Sequence, residues 1–532
     1  MATVTEPLQT RRRAAVVASN SAWLALDTAV GVAVSLVLSV TVARSVGPDV
    51  LGVYNFANWI LGAGIVVLTN GVTYGMQLFA AELLGRGDIA GVRQVLRHGL
   101  RWQIGLSLLL TLIGVASTWL FAPPQFHAAL LLAVASIAPA VMVSVPAAGL
   151  GAAQAFAPNV LTSLAGVIVN LVATLAALRF GLGLAGVTGA LLLSRLVDAA
   201  GGHWAWQRIR RRLERELGTT QPAADSDLDL ARFNRVSFSS SLLLLIESIV
   251  WDRSEFFFLS RFSALRELAF YSLGFNIVQQ VMLIPRLFTR ALSANLLVER
   301  GRAPENVIRL TTDGMRYSFL ISAPLLFGLV ATSSPLIALL YGATYRPVAS
   351  VLTVAAALTL LRGALAPVQS LLYMLEQQAF LIRWNLAVGA LNIGLDFWLI
   401  PTHGAMGAAW ANGIAQGVAA VGLIAFAVRR FQLAIPLGDF ARAVLACVPM
   451  VIVARSLAVM LPPWAALFTG VPVGAVLYVV GLRTLGVLRP VDADRLQPIA
   501  SRLPTFIRPT FGRVVSLVVG RRAGTPPLRR AL

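Results

Sequence analysis

Charged side chains interrupt several stretches of this sequence that are otherwise apolar and long enough to cross a lipid bilayer. A charge inside a membrane is costly and normally faces a polar cavity or an oppositely charged partner, so each one is a candidate for function. Arginine can bind an anion through paired N–H donors, and a lone carboxylate can bind a proton or a sodium ion. The basic candidates are Arg195, Arg253, Arg286, Arg290, Arg362, Arg455 and Arg483, and the acidic ones are Asp27, Asp198, Glu247, Asp252, Glu255 and Asp396.

Arg286 and Arg290 are the strongest candidates for anion binding. They are four residues apart, so both lie on one face of a helix, and the neighbouring Pro285 removes a backbone hydrogen bond and is predicted to kink that helix. The alternative is structural, in which Arg290 reaches the membrane interface or pairs with Glu247 or Asp252.

The segment LLLLIESIVWDRSEFFFL carries the densest group of intramembrane charges. Asp252 and Glu255 are three residues apart and share a helix face, while Glu247 lies more than one turn away. This helix therefore cannot be wholly exposed to lipid. Its charges form either a structural polar cluster or part of a cavity lining.

Asp27 and Asp396 are lone carboxylates in two further apolar stretches. Such groups often bind a coupling proton or sodium ion in transporters, and Glu247 and Asp252 are candidates for the same role. The alternative for each lone carboxylate is hydrogen bonding to nearby Asn, Ser or Thr. Separately, Arg195 and Asp198 are three residues apart, which predicts a local ion pair.

The composition predicts an all-α protein that crosses a membrane many times. Hydrophobic residues make up 57% of the chain and charged residues only 12%, well below the share in soluble domains. Since a helix needs roughly 20 apolar residues to cross the hydrocarbon core, about fourteen spans are predicted. Their approximate cores are residues 19–43, 56–80, 103–122, 128–152, 158–178, 183–206, 236–259, 270–296, 317–340, 347–374, 382–400, 404–428, 441–461 and 464–488.

Arginine supplies every basic residue, and its distribution predicts the orientation. With the N-terminus in the cytoplasm, about 31 arginines fall on cytoplasmic segments and four on the outer side. Both termini are therefore placed in the cytoplasm, and topology rather than nucleic acid binding explains the net charge of +20. A removable signal is not expected, because the first apolar run is long and contains Asp27.

The phrase ARSVGPDVLGVYNFA at 43–57 recurs as SRFSALRELAFYSLG at 260–274. Aligned on Arg44 and Arg261, both phrases reach a tyrosine at the same offset of 217 residues. With weaker echoes elsewhere, the repeat predicts two parallel six-helix lobes around a central cavity, an arrangement that is common in transporters. The predicted domains are a cytoplasmic N-terminus at 1–18, an N-terminal lobe at 19–206, a cytoplasmic linker at 207–235, a C-terminal lobe at 236–428, two further transmembrane helices at 429–488 and a basic cytoplasmic tail at 489–532.

The repeated phrase also carries a family resemblance. ARSVGPDVLGVYNFA resembles the Ala-Arg-x-Leu-Gly-Pro phrase of bacterial flippases for O-antigen and exopolysaccharide repeat units, with Val46 in place of the usual Leu. These flippases belong to the multidrug/oligosaccharidyl-lipid/polysaccharide (MOP) superfamily. WDRSEFFFLSRFSALRELAFYSLGF, YGATYRPVASVL and GAMGAAWANGIAQGV resemble their second half, so the resemblance covers most of 14–428.

The resemblance implies a protein of the bacterial inner membrane with a V-shaped cavity and a lipid pyrophosphate substrate. The residues that become candidates for binding the substrate headgroup are Arg286, Arg290, Arg253, Arg44 and Arg362. A monomer is expected, with a polysaccharide polymerase as a partner and the basic tail either resting on anionic membrane lipids or without a role.

Three functions are compatible with these observations. The first is a flippase that moves a polyprenyl-linked oligosaccharide from the inner to the outer leaflet. The second is an ion-coupled exporter of small amphipathic compounds on the same scaffold. The third is a membrane polysaccharide polymerase or glycosyltransferase, which is disfavoured because the outer loops are short and hold no nucleotide-binding or metal motif. The single cysteine, Cys447, and four scattered histidines predict no disulfide, metal or covalent cofactor.

Overall fold

The structure is a computed structural model, and it describes residues 6–217, 229–247, 254–303 and 305–487. Within these ranges the secondary structure is helical. Short 3-10 turns at Pro124–Phe126, Ala343–Tyr345 and Thr359–Leu361 join some of the helices. The α-helices are α1 Glu6–Gly85, α2 Ile89–Phe121, α3 His127–Ala135, α4 Ile137–Ala152, α5 Phe156–Arg179, α6 Gly183–Leu217, α7 Leu230–Glu247, α8 Ser254–Phe262, α9 Leu265–Val281, α10 Leu283–Arg302, α11 Asn306–Tyr341, α12 Pro347–Leu358, α13 Arg362–Met374, α14 Gln378–Phe431, α15 Leu437–Met460 and α16 Pro463–Thr484.

The long helix α14 is a hairpin of two antiparallel helices. The chain turns at Gly404, whose φ of 54° lies in the left-handed region that favours glycine. On either side of this turn Phe380 stacks on Phe426, with ring centroids 3.6 Å apart. One turn further, the Trp384 indole donates to the Ala419 carbonyl at 3.3 Å. These pairs converge on Gly404, so the two halves of α14 lie side by side, as the predicted spans 382–400 and 404–428 require.

Helix α1 turns in the same way at Gly47, where φ is 76°. The Asn20 amide donates to the carbonyl of Gln154 at 3.4 Å, and a Cβ at Gly151 would lie 2.8 Å from the Gln77 amide nitrogen. Residues 20 and 77 therefore lie at the same end of α4, although a straight helix would separate them by about 85 Å. The chain reverses between them, as the predicted spans 19–43 and 56–80 require.

The prediction of an all-α protein with many membrane spans is confirmed. Eleven helical segments of the described chain are long and apolar enough to cross a membrane. Two of them, at 22–85 and 378–431, are the hairpins in α1 and α14 and hold two predicted spans each. The predicted span 236–259 contains residues 248–253, which lie outside the described ranges. The count of fourteen stays a prediction.

The chain divides into two compact units, Met1–Ala269 (unit 1) and Phe270–Leu532 (unit 2). In unit 1 the second half of α1 runs antiparallel to α7, α8 and the start of α9 along their described length. The pairs in contact are Phe79 with Phe233, Gly75 with Ser237, Gly71 with Ser241, Trp59 with Phe256 and Gly52 with Leu265. Small residues at Gly71 and Gly75 allow this close approach. The predicted lobe and linker boundaries stay predictions.

In unit 2 the last two helices pack on α11. Arg316 of α11 forms an ion pair with Asp439 of α15, with Nε and Oδ2 2.7 Å apart and side-chain exposures of 3% and 7%. Arg316 also donates to the Val487 carbonyl after α16, and the Tyr478 hydroxyl donates to the Leu320 carbonyl at 2.8 Å. Helices α15 and α16, the two further helices predicted at 429–488, therefore pack into the core of unit 2.

Candidate functional site

The predicted kink beside Arg286 is present as a break between α9 and α10 at Met282. Pro285 lacks an N–H to donate to the carbonyl one turn before it, at Val281, and α9 ends at that residue. Helical hydrogen bonding resumes at once, since the Arg286 N–H donates to the Met282 carbonyl at 3.2 Å. The break positions Arg286 in the first turn of α10.

Arg286 and Arg290 lie one turn apart on α10, as predicted. Arg286 is half-buried and donates through Nη2 to the side-chain oxygen of Gln279, two turns earlier. Arg290 is exposed. Two guanidinium groups one turn apart thus place positive charge on one face of α10 within a predicted span.

Arg362 begins α13, directly after the 3-10 turn Thr359–Leu361. This interruption divides the predicted span 347–374 near its middle, and the sequence did not predict it. The half-buried Arg362 side chain donates through Nη1 to Oε1 of Gln416 at 3.3 Å. Gln416 is buried in the second half of α14 and donates in turn to Asn412. Arg362 is thus attached to a polar pair inside the α14 hairpin.

The packing of α10 against α13 places Arg286 and Arg362 at the same depth. The Ser293 hydroxyl donates to the Ser370 hydroxyl at 2.7 Å. Further along, Arg300 and Glu376 approach to 3.6 Å, so the two helices run parallel in register. Two turns back from Ser293, this register brings Arg286 opposite residue 363, next to Arg362. Packed helices lie about 8–10 Å apart, so one anionic headgroup could contact both guanidinium groups.

The remaining predicted headgroup residues are not part of this arrangement in the described chain. Arg44 is exposed on α1, one turn before Gly47, and belongs to unit 1. Arg253 and Asp252 lie outside the described residues. Glu247 is the last residue of α7, and its side chain lies outside the described set as well.

The two copies of the repeated phrase contact each other within unit 1. A Cβ at Gly52 would lie only 2.0 Å from the carbonyl oxygen of Leu265, so no side chain fits between the two turns. The guanidinium of Arg261 lies 5.9 Å from the centre of the Phe262 ring. Gly52 of the first copy is therefore small because the Leu265 backbone packs against it, a contact that the sequence repeat did not reveal.

The two predicted lone carboxylates lie in different surroundings. Asp27 is half-buried in unit 1 and close enough to Asp198 to interact with it electrostatically, and Arg195 acts on the same carboxylate. The predicted ion pair between Arg195 and Asp198 is wrong, because their charged groups do not come within ion-pair distance in the described chain, and the sequence did not indicate that Asp27 on α1 lies near Asp198 on α6. Asp396 in unit 2 is completely buried, and the buried Asn392 precedes it by one turn on α14.

Comparisons with known proteins agree with this architecture. Residues 100–350 match the family described as polysaccharide biosynthesis protein. The fold is similar to that of the lipid II flippase MurJ in an inward closed conformation, with a TM-score of 0.69 and 15% identity over 87% of this chain and 97% of MurJ. It is also similar to an inward-facing multidrug resistance MATE transporter of the MOP superfamily, with a TM-score of 0.59 and 16% identity over 75% of this chain and 94% of that one.

A MOP superfamily transporter from Pyrococcus furiosus is similar as well, with a TM-score of 0.54 and 17% identity over 78% of this chain and 95% of that one. No curated protein sequence matches the chain. This chain shares its fold with these proteins, which agrees with the resemblance carried by the repeated phrase. The named neighbours are transporters and a flippase, and at this low identity the likeness concerns the fold.

Proposed function

We propose that this protein is a flippase that moves a polyprenyl-pyrophosphate-linked oligosaccharide from the cytoplasmic to the outer leaflet of the bacterial inner membrane, for assembly of O-antigen or exopolysaccharide. The observation that carries this proposal is the equal depth of Arg286 and Arg362 on α10 and α13, with Arg290 one turn away. The match of residues 100–350 to a polysaccharide biosynthesis family supports the same substrate class.

The physical task is to carry a sugar and pyrophosphate headgroup through hydrocarbon. Burying each unpaired polar group costs several kcal/mol, and a charged phosphate costs more. Arginine offsets part of this cost, because its planar guanidinium donates two parallel hydrogen bonds to a phosphate. Arg286, Arg290 and Arg362 would bind the pyrophosphate near the middle of the membrane, while the polyprenyl chain stays in the lipid.

Transport would follow alternating access, with a coupling ion that drives the return of the protein to its starting state. Asp396 is the foremost candidate for that ion, since a fully buried carboxylate near the buried amide of Asn392 can be neutralised by a proton or by sodium. Asp27, beside Asp198, is a second candidate. Glu247 and Asp252 stay candidates from the sequence.

The proposed orientation places both termini in the cytoplasm. The positive-inside distribution of arginine supports it, as does the ion pair between Arg232 and Glu82 at the same end of unit 1 as the basic α6 terminus. The protein would act as a monomer and deliver its product to a polysaccharide polymerase on the outer side.

A second candidate function is the ion-coupled export of small amphipathic compounds. The neighbouring carboxylates Asp27 and Asp198 favour it, because a cationic compound or a proton binds more strongly to two carboxylates than to one. Similarity to a multidrug resistance transporter points the same way. The cluster of arginines in unit 2 disfavours cationic cargo at that site.

Deletion of the gene tests the two functions against each other. Mass spectrometry of extracted lipids would quantify complete polyprenyl-linked oligosaccharides, together with the amount of surface polysaccharide. A flippase predicts accumulated finished units and a bare surface, both reversed by the wild-type gene and not by Arg286→Ala/Arg290→Ala. Normal surface polysaccharide in a strain without redundant transporters would overturn the flippase, and drug sensitivity of that strain would favour the exporter.

A further inference from the structure

We propose that a pocket in unit 1, outside the predicted headgroup site, binds an anionic phospholipid of the inner leaflet. The pocket has a volume of about 130 Å³ and lies between the first turns of α2 and the last turns of α6, with the end of α1 and part of α4 completing its wall. Its apolar lining includes Leu96, Leu100, Val145 and Trp206. Arginine side chains line the other part of it.

The arginines lie toward the cytoplasmic end of the pocket on both helices, where Ile89 and Leu213 add apolar surface beside them. On α2, Arg93 and Arg97 precede Leu100, and on α6, Trp206 precedes Arg210 by one turn. Because the helices lie antiparallel here, the guanidinium groups gather at the end away from the membrane interior, while Leu100, Trp206 and His203 line the inner end. A phospholipid has the same polarity, with an acyl chain below an anionic headgroup.

The depth of the pocket matches a lipid headgroup. The neighbouring Trp204 is 63% exposed on α6, and the guanidinium of Arg208 lies 5.7 Å from the centre of its ring. Exposed tryptophan is enriched at the level of the headgroups, where its ring is partly solvated. Trp204 lies two residues before Trp206 on α6, so this wall of the pocket lies at the level of the headgroups.

The charges at the basic end are only partly neutralised. Glu214 bonds Arg93 at 2.8 Å and Arg210 at 3.4 Å, which holds these two side chains in place. Arg97 is exposed and has no ion-pair partner in the described part of the chain. Three arginines against one carboxylate leave an excess of positive charge, and basic pockets between helices on the cytoplasmic side are suited to anionic headgroups.

Size and polarity favour a membrane phospholipid over the other anions. A cavity of about 130 Å³ accepts a short length of acyl chain but not an oligosaccharide. A soluble phosphate ion would leave the apolar part of the pocket unfilled, and a zwitterionic lipid would not use the excess charge. Binding here would also hold α2 and α6 together from the cytoplasmic side.

The test is native mass spectrometry of the full-length protein in nanodiscs that contain phosphatidylcholine with or without phosphatidylglycerol. Phosphatidylglycerol should be retained in preference to phosphatidylcholine. Arg97→Gln should weaken its binding about fivefold, the effect expected for one arginine near an anionic surface. Arg211→Gln is the matched control, because Arg211 is exposed on α6 next to Arg210 but does not line the pocket.

A second variant separates pocket binding from diffuse attraction. Leu100→Phe keeps every charge and fills the apolar part of the pocket, so it should also reduce phosphatidylglycerol binding. Equal weakening by Arg97→Gln and Arg211→Gln would overturn the proposal, and so would unchanged binding in Leu100→Phe or full displacement by inorganic phosphate. Arg97 makes no ion pair in the described chain, so its variant should fold with an unchanged melting temperature.

Discussion

Two arginine-bearing regions of unit 2 differ in how deeply their guanidinium groups are buried. Arg316 is sealed between α11 and α15, against the Asp439 carboxylate and the Val487 carbonyl. Arg286 is half-buried at a helix break and donates to the neutral Gln279, with the exposed Arg290 one turn away. A sealed pair contributes to folding, whereas a half-buried guanidinium beside an exposed one can meet an incoming anion. Both are arginines in apolar surroundings, and their exposure distinguishes them.

The largest expected effect is on the sealed pair. Arg316→Leu should lower the free energy of unfolding by about 3–5 kcal/mol, because it leaves the Asp439 carboxylate buried without a counter-charge. Thermal unfolding of the purified protein in detergent measures this. The double variant Arg316→Leu/Asp439→Leu should recover most of the loss, since it removes both charges. If Arg316→Leu is as stable as the double variant, the ion pair does not hold α15 against α11.

The half-buried arginines should respond in the opposite way. Arg286→Ala/Arg290→Ala should leave the melting temperature nearly unchanged and reduce transport roughly 10- to 100-fold, the factor for one or two lost charge-assisted hydrogen bonds. Restoration of surface polysaccharide in the deletion strain measures transport. Arg383→Gln on α14 is an exposed control that should behave as wild type. A drop in stability without a specific loss of transport would make this pair structural, like Arg316.

Gly52 extends the comparison to close packing in unit 1. Gly52→Val should destabilise the protein by about 1–3 kcal/mol, because its side chain would collide with the Leu265 backbone. Gly62→Ala is the matched control on the same helix, where a Cβ meets nothing within 4 Å. It should be neutral or slightly stabilising, since alanine favours a helix. Equal stability of the two variants in thermal unfolding would contradict the contact between the repeated turns.

The smallest effect is expected at Asp396, which is as buried as Arg316 but proposed to bind an ion. If sodium binds there, a concentration of ten times its dissociation constant should stabilise the wild type by about 1.4 kcal/mol. Asp396→Asn should abolish that gain in stability. Asp27→Asn in unit 1 is the comparison variant and should keep it. If sodium has no effect, a shift of transport with pH that disappears in Asp396→Asn would assign a proton instead. If neither response is observed, Asp396 is a structural group and does not bind a coupling ion.

Local features of this protein could be predicted from residues close together in the sequence. The apolar runs predicted the spans, and the repeat at 43–57 and 260–274 predicted the turns of two hairpins. The spacing of Arg286 and Arg290 predicted their shared face, and Pro285 predicted the break beside them. Each depends on hydropathy, helical periodicity or a missing N–H within one or two turns.

The features that define the candidate site depend on contacts between distant helices. Nothing near Arg362 indicated that the Ser293–Ser370 contact would bring it to the depth of Arg286. Nothing near Arg316 indicated a partner more than a hundred residues later.

The sequence by itself determined the membrane class, the positions of the spans and the charges each span carries, because hydropathy and periodicity are properties of a continuous segment. Only the tertiary structure decided which charges are sealed, which lie at one depth and which surround a pocket. The rotation and register of each helix are set by side chains packing across the interior, and those contacts join residues far apart in the chain.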